Sequence, residues 1–140
     1  MACYKKKYYV GNITLLLESD CKIQCSEEFN DFISFQKPDY RIRLHEASIL
    51  KTYQNSIFKD YSIEIFNVEN KYVRQFKQTL DGIYAQSYSD YRNKSVDIFY
   101  LKKGIRNINH ENGAFFHIGW EDILLNKKHL LLHACCIDTN

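Results

Sequence analysis

Tyr40-Arg41-Ile42-Arg43-Leu44-His45 alternates apolar and basic residues without a break. A period of two places Tyr40, Ile42 and Leu44 on one face of a strand and Arg41, Arg43 and His45 on the other. Lys37-Pro38-Asp39 precedes the run and marks its start. Alternation of this kind belongs to a sheet with one face on a core and one towards water, which is the usual state of antiparallel β structure.

The pattern recurs downstream. Asp60 to Val68 alternates with Tyr61, Ile63 and Ile65 on one side and Ser62, Glu64 and Phe66 on the other. Glu69-Asn70 reads as a hairpin turn into Lys71–Gln78. Tyr72, Val73, Phe76 and Leu80 also suit helical spacing there, but the upstream strand and short turn favour a second strand. Asp81-Gly82 is a further turn signal, followed by Ile83 to Tyr88. Val96 to Leu101 is another strand, stopped by Lys102-Lys103-Gly104. Upstream, Tyr8 to Leu17 opens the sheet. Ile13, Leu15 and Leu17 alternate with Thr14, Leu16 and Glu18, and Gly11-Asn12 interrupts the run as a bulge or tight turn. Lys5, Lys6 and Lys7 read as a frayed, soluble terminus. Ser26 is a candidate N-cap, with Glu27 and Glu28 in the first turn and Phe29, Phe32 and Ile33 on one face of a short helix to about Phe35.

Composition agrees with a β-rich chain. Eleven Tyr, nine Phe and one Trp make 15% of 140 residues, and Tyr and Phe favour strands. One Pro and five Gly leave little low-complexity character. Nineteen basic and seventeen acidic residues give a net charge of +2, too weak a bias to argue for nucleic acid or a membrane surface. No apolar stretch approaches the length of a membrane-spanning helix, and Met1 to Lys7 has no apolar region typical of an export signal. A cytoplasmic protein with reduced thiols is the expectation for Cys3, Cys21, Cys25, Cys135 and Cys136. Cys21 and Cys25 have a spacing at the edge of zinc-site practice, with no second matching pair, so no metal is assigned.

The chain changes character after Gly104. Ile105 to Asn112 is polar and has linker composition. Phe116, Trp120, Ile123 and Leu124 then follow at i, i+4, i+7 and i+8, the spacing of an amphipathic helix. Leu130-Leu131-Leu132-His133-Ala134-Cys135-Cys136-Ile137-Asp138 comes last and reads as a strand buried on both faces. The expected fold class is therefore α+β: a mostly antiparallel β-sheet over residues 1–104, then an amphipathic helix and a buried C-terminal strand over 105–140.

That final stretch resembles the strand leading into the phosphate loop of HPr kinase/phosphorylase and its relatives, kinases with a P-loop fold of the phosphoenolpyruvate-carboxykinase type. The resemblance covers about a dozen residues, or up to 25 with the preceding helix, and His133 is its most informative letter. It implies that the 140 residues are the N-terminal region of an ATP-dependent kinase, with ATP and Mg bound by the full-length protein. It also implies His133 near the transferred phosphate and Asp138 at the carboxyl edge of the strand. The Gly-x-x-x-x-Gly-Lys-Ser/Thr loop is absent from this sequence, so no nucleotide site and no activity are expected of these residues alone. Read without the resemblance, His133 is equally a core histidine with a backbone hydrogen bond, and Asp138 a turn-former with Thr139-Asn140. The implied partners are the rest of the kinase core, or another copy of the chain paired through the last strand, with a peptide or protein as substrate. The alternative is a self-contained β-rich module that binds a protein or peptide.

Overall fold

A computed structural model of the chain describes residues 4–10, 12–20, 34–78, 82–104 and 123. Eight strands form one mixed sheet: β1 (Tyr4–Val10), β2 (Ile13–Ser19), β3 (Tyr40–Ala47), β4 (Phe58–Lys59), β5 (Ile63–Val68), β6 (Lys71–Gln78), β7 (Gly82–Asp90) and β8 (Ser95–Leu101). Their order across the sheet is β1-β2-β3-β8-β7-β6-β5-β4. The chain starts with a β1–β2 hairpin and places β3 beside β2. It then crosses to the far edge and returns through an antiparallel meander that ends with β8 against β3.

The β-rich reading holds, and most pairings are antiparallel. The exception is β3, which is parallel to both β2 and β8. Alternation reports which face a side chain takes, not the direction of the neighbouring strand, so Tyr40–His45 gave no sign of this. Parallel neighbours need long crossovers, and the chain has them between β2 and β3 and between β3 and the meander.

Register puts the core on one face. Ile42 stands opposite Leu17 on one side and Val96 on the other, and Leu44 stands opposite Ile98. These join Tyr8, Leu15, Tyr100, Ala85 and Phe76 in one buried cluster that also contains Ile123. Full burial of aliphatic side chains such as these contributes roughly 2 kcal/mol each relative to exposure. The sequence reading of Ile42 and Leu44 as inward is confirmed; Ile123 is 1% exposed.

Turns follow residue chemistry. Val10 pairs with Ile13 across the β1–β2 hairpin, and Asn12 before β2 adopts φ 64°. Glu69 and Asn70, at φ 49° and 65°, join β5 to β6 in the left-handed region that a type I′ hairpin requires. Gly82 opens β7 at φ 68°, where an L side chain would be strained. Beyond β8 a single 3-10 turn, Lys102–Gly104, brings Gly104 against Tyr84; a Cβ there would lie 3.0 Å from the Tyr84 ring and carbonyl.

Four local expectations are corrected. Lys5, Lys6 and Lys7 are not a frayed end but part of β1, paired with Glu18, Leu17 and Leu16. The Lys7 ammonium donates to the carbonyls of Phe35 and Gln36, and its own carbonyl accepts from the Ser34 amide. Tyr61 does not face the core; it is 87% exposed, because Asp60 turns the chain by accepting from the Ser62 and Ile63 amides before β5 begins. Phe66, assigned to the side opposite the Ile63 and Ile65 face, is buried there instead, under Tyr53. Phe35 is exposed and non-helical. Ser34 is also non-helical; residues 26–33 of that expected helix, the linker after Gly104, the helix around Trp120 apart from Ile123, and the strand at 130–138 lie outside the described residues. Among the described residues no helix is long and apolar enough to cross a membrane.

Candidate functional site

The face opposite the core carries the chemistry. Arg41, Arg43 and His45 project there from β3, as their alternation predicted, and each meets a carboxylate. Arg41 Nε lies 3.4 Å from Glu18, which also holds Lys5 at 3.0 Å. Arg43 Nη2 donates to Asp97 Oδ2 of β8 at 2.7 Å, while Nε lies 2.7 Å from Oδ1 as an ion-pair contact without hydrogen-bond geometry. The pairing is possible because Arg43 and Asp97 are direct partners in the parallel register. His45 stands between two acids, with Nδ1 3.2 Å from Asp20 and Nε2 3.3 Å from Asp97. Its ring stacks on Phe99 at 5.0 Å between centroids. The expected basic row is therefore largely neutralised in place.

Next to this row the segment after β3 lies over the sheet. Gln86 of β7, 1% exposed, holds it. Its Nε2 donates to the Lys51 carbonyl at 2.5 Å and to Gln75 Oε1 at 2.9 Å; its Oε1 accepts from the Lys51 amide at 3.1 Å and from the Tyr88 hydroxyl at 3.1 Å. A primary amide has two donors and two acceptor lone pairs, and here all four are used. Tyr53 reinforces the attachment through a 2.8 Å hydroxyl–hydroxyl hydrogen bond to Tyr88 and by packing on Phe66. Burial, and then the hydrogen bond with Tyr53, push the Tyr88 phenol well above its ordinary pKa.

Between this anchored segment and the sheet lies a cleft of about 570 Å³, lined by residues 46–51 and by Lys71, Gln86, Tyr88, Asp97 and Phe99. Phe99 is 36% exposed, with the Tyr88 ring edge-on to it at 5.5 Å. Ile49, another lining residue, is 84% exposed. Charged groups of both signs complete the lining: Glu46 and Asp97 from β3 and β8, Lys71 from β6 and Lys51 from the crossing segment. Lys71 is in turn 3.5 Å from Asp90. A cleft of this size, apolar in part with a few fixed polar groups, has the make-up of a ligand site. Among the described lining residues no nucleophile is hydrogen-bonded to a base.

Sequence reasoning did not single out Tyr53, Gln86, Tyr88 or Phe99. The available signals were an amide inside a strand and aromatics at outward positions of β7 and β8, and neither says which outward face is covered. His133 and Asp138 lie outside the described residues, as do all five cysteines. Among the described residues no cluster of His, Cys, Asp or Glu is placed to hold a metal ion. No family model, no curated protein and no solved structure matches the chain.

Proposed function

We propose that this protein is a β-rich binding module that takes a short peptide segment of a partner protein in the cleft between residues 46–51 and the β6–β7–β8 face. The observation that carries the reading is the solvent-open Phe99, framed by Tyr88 and Ile49 and bordered by charges of both signs. An aliphatic or aromatic peptide side chain would cover Phe99, while Glu46 and Lys51 offer partners to the flanking polar groups. Lining residues held by a fully bonded Gln86 keep the cleft's shape before binding, which lowers the ordering cost of association. The lining chemistry favours recognition over catalysis.

Panning a random-peptide display library against the protein tests this. Recovered peptides should share a large apolar residue, and their affinity should fall roughly tenfold or more in Phe99→Ala and Ile49→Ser, consistent with the loss of an anchor contact. A library that yields no binder, or binders indifferent to both substitutions, overturns the reading.

The Leu130–Asp138 motif supports a second reading, in which the module is the N-terminal portion of a phosphotransferase resembling HPr kinase, with His133 and Asp138 near its phosphate site. The 140 residues themselves do not fit ATP-Mg, since they contain no Gly-rich loop with a Lys-Ser/Thr pair. A coding sequence that continues past Asn140 into such a loop within about 20 residues supports this second reading; its absence removes it.

A further inference from the structure

We infer a second, independent binding site: an oxyanion site for a phosphate-type group where the start of β3 meets the β7–β8 turn. Pro38, Asp39, Tyr40, Arg41, Arg43, Asn93, Lys94 and Ser95 line a cleft of about 350 Å³ there. Arg41 and Arg43 line it with their charges already shared with Glu18 and Asp97, and Lys94 adds a cation with no ion pair among the described residues, against the carboxylate of Asp39.

The acids around the cleft are engaged elsewhere or hold the arginines in position. Asp39 Oδ2 accepts from the Thr14 amide at 2.8 Å, while the Asp39 amide donates to the Thr14 carbonyl at 2.7 Å, a reciprocal clasp to β2. Arg41 approaches Glu18 through Nε, and Arg43 approaches Asp97 through Nε and Nη2. A guanidinium carries five N–H donors in a rigid fork. These contacts leave both terminal nitrogens of Arg41 and the Nη1 of Arg43 without a described partner, on side chains 50% and 39% exposed. Among the described residues the Lys94 ammonium has no ion pair.

The turn that presents Lys94 is braced. Asp90 accepts from the Asn93 amide at 3.1 Å and from the Asn93 side-chain nitrogen at 2.9 Å. Those two hydrogen bonds, side chain first, also hold the Asp90 carboxyl below its ordinary pKa. Lys94 then adopts φ 51°, and its carbonyl accepts from the Arg41 amide at 3.0 Å. This last bond fixes the turn against the start of β3, so the two elements that supply the cations are coupled through the backbone. Guanidinium N–H groups held by their carboxylate partners, with an ammonium on a braced turn beside them in one cleft, are the donors a phosphate or sulfate group requires.

The site shares no lining residue with the peptide cleft, so it stands or falls separately. Its ligand could be free phosphate or a phosphate carried on a peptide, and one experiment separates them. The ¹⁵N-labelled full chain is titrated with inorganic phosphate, with a phosphoserine peptide and with its unphosphorylated counterpart, all at constant ionic strength set with chloride. The expected result is saturable shifts of the Arg41, Lys94 and Ser95 amides with phosphate or the phosphopeptide, and none with the unphosphorylated peptide. Tighter binding of the phosphopeptide identifies a peptide source; equal or weaker binding identifies the free anion. Two variants make the test specific. Lys94→Asn removes the charge but suits the left-handed backbone, and Arg41→Gln removes a guanidinium. Each should weaken binding by roughly tenfold, with an unchanged melting temperature in Lys94→Asn as the control for folding. Shifts that do not saturate, that chloride reproduces, or that persist unchanged in both variants overturn the site.

Discussion

Gln86 holds Lys51 by both backbone groups at once, donating to its carbonyl and accepting from its amide. The side-chain amide thus does for the crossing segment what a neighbouring strand does in a ladder. It lets a stretch without regular structure lie against a sheet face with the backbone of Lys51 paired. That contact decides the shape of the peptide cleft, because Lys51 and Gln86 both line it.

Replacing Gln86 by Leu leaves the Lys51 backbone groups and Gln75 without their partner. Leaving buried polar groups unsatisfied costs about 1–3 kcal/mol each, so a loss of several kcal/mol is the upper bound and release of the segment the cheaper response. The expected outcome is a lower melting temperature together with faster hydrogen exchange at the Lys51 amide and earlier proteolytic cleavage within residues 48–57. An unchanged exchange rate at Lys51 would show that the segment is held by Tyr53 alone.

Tyr88 gives the fold an alkaline limit. Its phenol is pushed up by burial and by the Tyr53 hydroxyl, and burial also raises Tyr84. A phenol whose folded pKa is raised supports folding fully below the unfolded value of about 10, and that support is lost as pH rises from there through the folded value. Stability should therefore fall above about pH 10, and Tyr88→Phe should flatten that limb while lowering stability near neutrality through loss of two hydrogen bonds. Chemical denaturation at neutral and alkaline pH compares the two slopes. Parallel slopes in the variant and the parent would count against a role for Tyr88.

Acid acts at the β4 edge of the sheet. Glu64 is held below its ordinary pKa first by its hydrogen bond from Lys77, and Asp60 first by the Ile63 amide and then by that of Ser62. Depressed carboxylates support folding above the unfolded value of about 4, and the support fades as pH falls through the folded one. The β4–β5 edge should loosen first on acidification. Glu64→Gln should reduce the acid sensitivity of hydrogen exchange at Ile63 and Ile65 relative to the parent chain.

The legible part of this fold was local. Tyr40, Ile42 and Leu44 announced their facing because period-two alternation is a direct consequence of strand geometry. Glu69-Asn70 announced a hairpin, since few residue pairs tolerate two successive positive φ angles, although Glu at the first is unusual. What stayed hidden was long-range. Arg43 meets Asp97 only because β8 returns to β3 after the whole meander, 54 residues later in the chain. Phe66 and Tyr88 look solvent-facing until the segment carrying Tyr53 is laid across them. β4 escaped notice because two residues carry no periodicity.

Ile123 tests how far the core extends along the chain. The sequence placed it on the apolar side of a helix after a polar stretch, and the structure buries it at 1% exposure in the cluster that contains Leu15, Ile42 and Ile98. Truncating a fully buried Ile to Ala removes transfer free energy and leaves a cavity, at about 2–5 kcal/mol. Ile98→Ala, at the centre of β8, sets the reference for such a loss. If Ile123 completes the same core, Ile123→Ala should cost a comparable amount, and urea denaturation should remain a single transition with the parental slope. A cost below about 1 kcal/mol, with Ile98→Ala strongly destabilised, would mean that the strands alone close the core and that Ile123 only covers it.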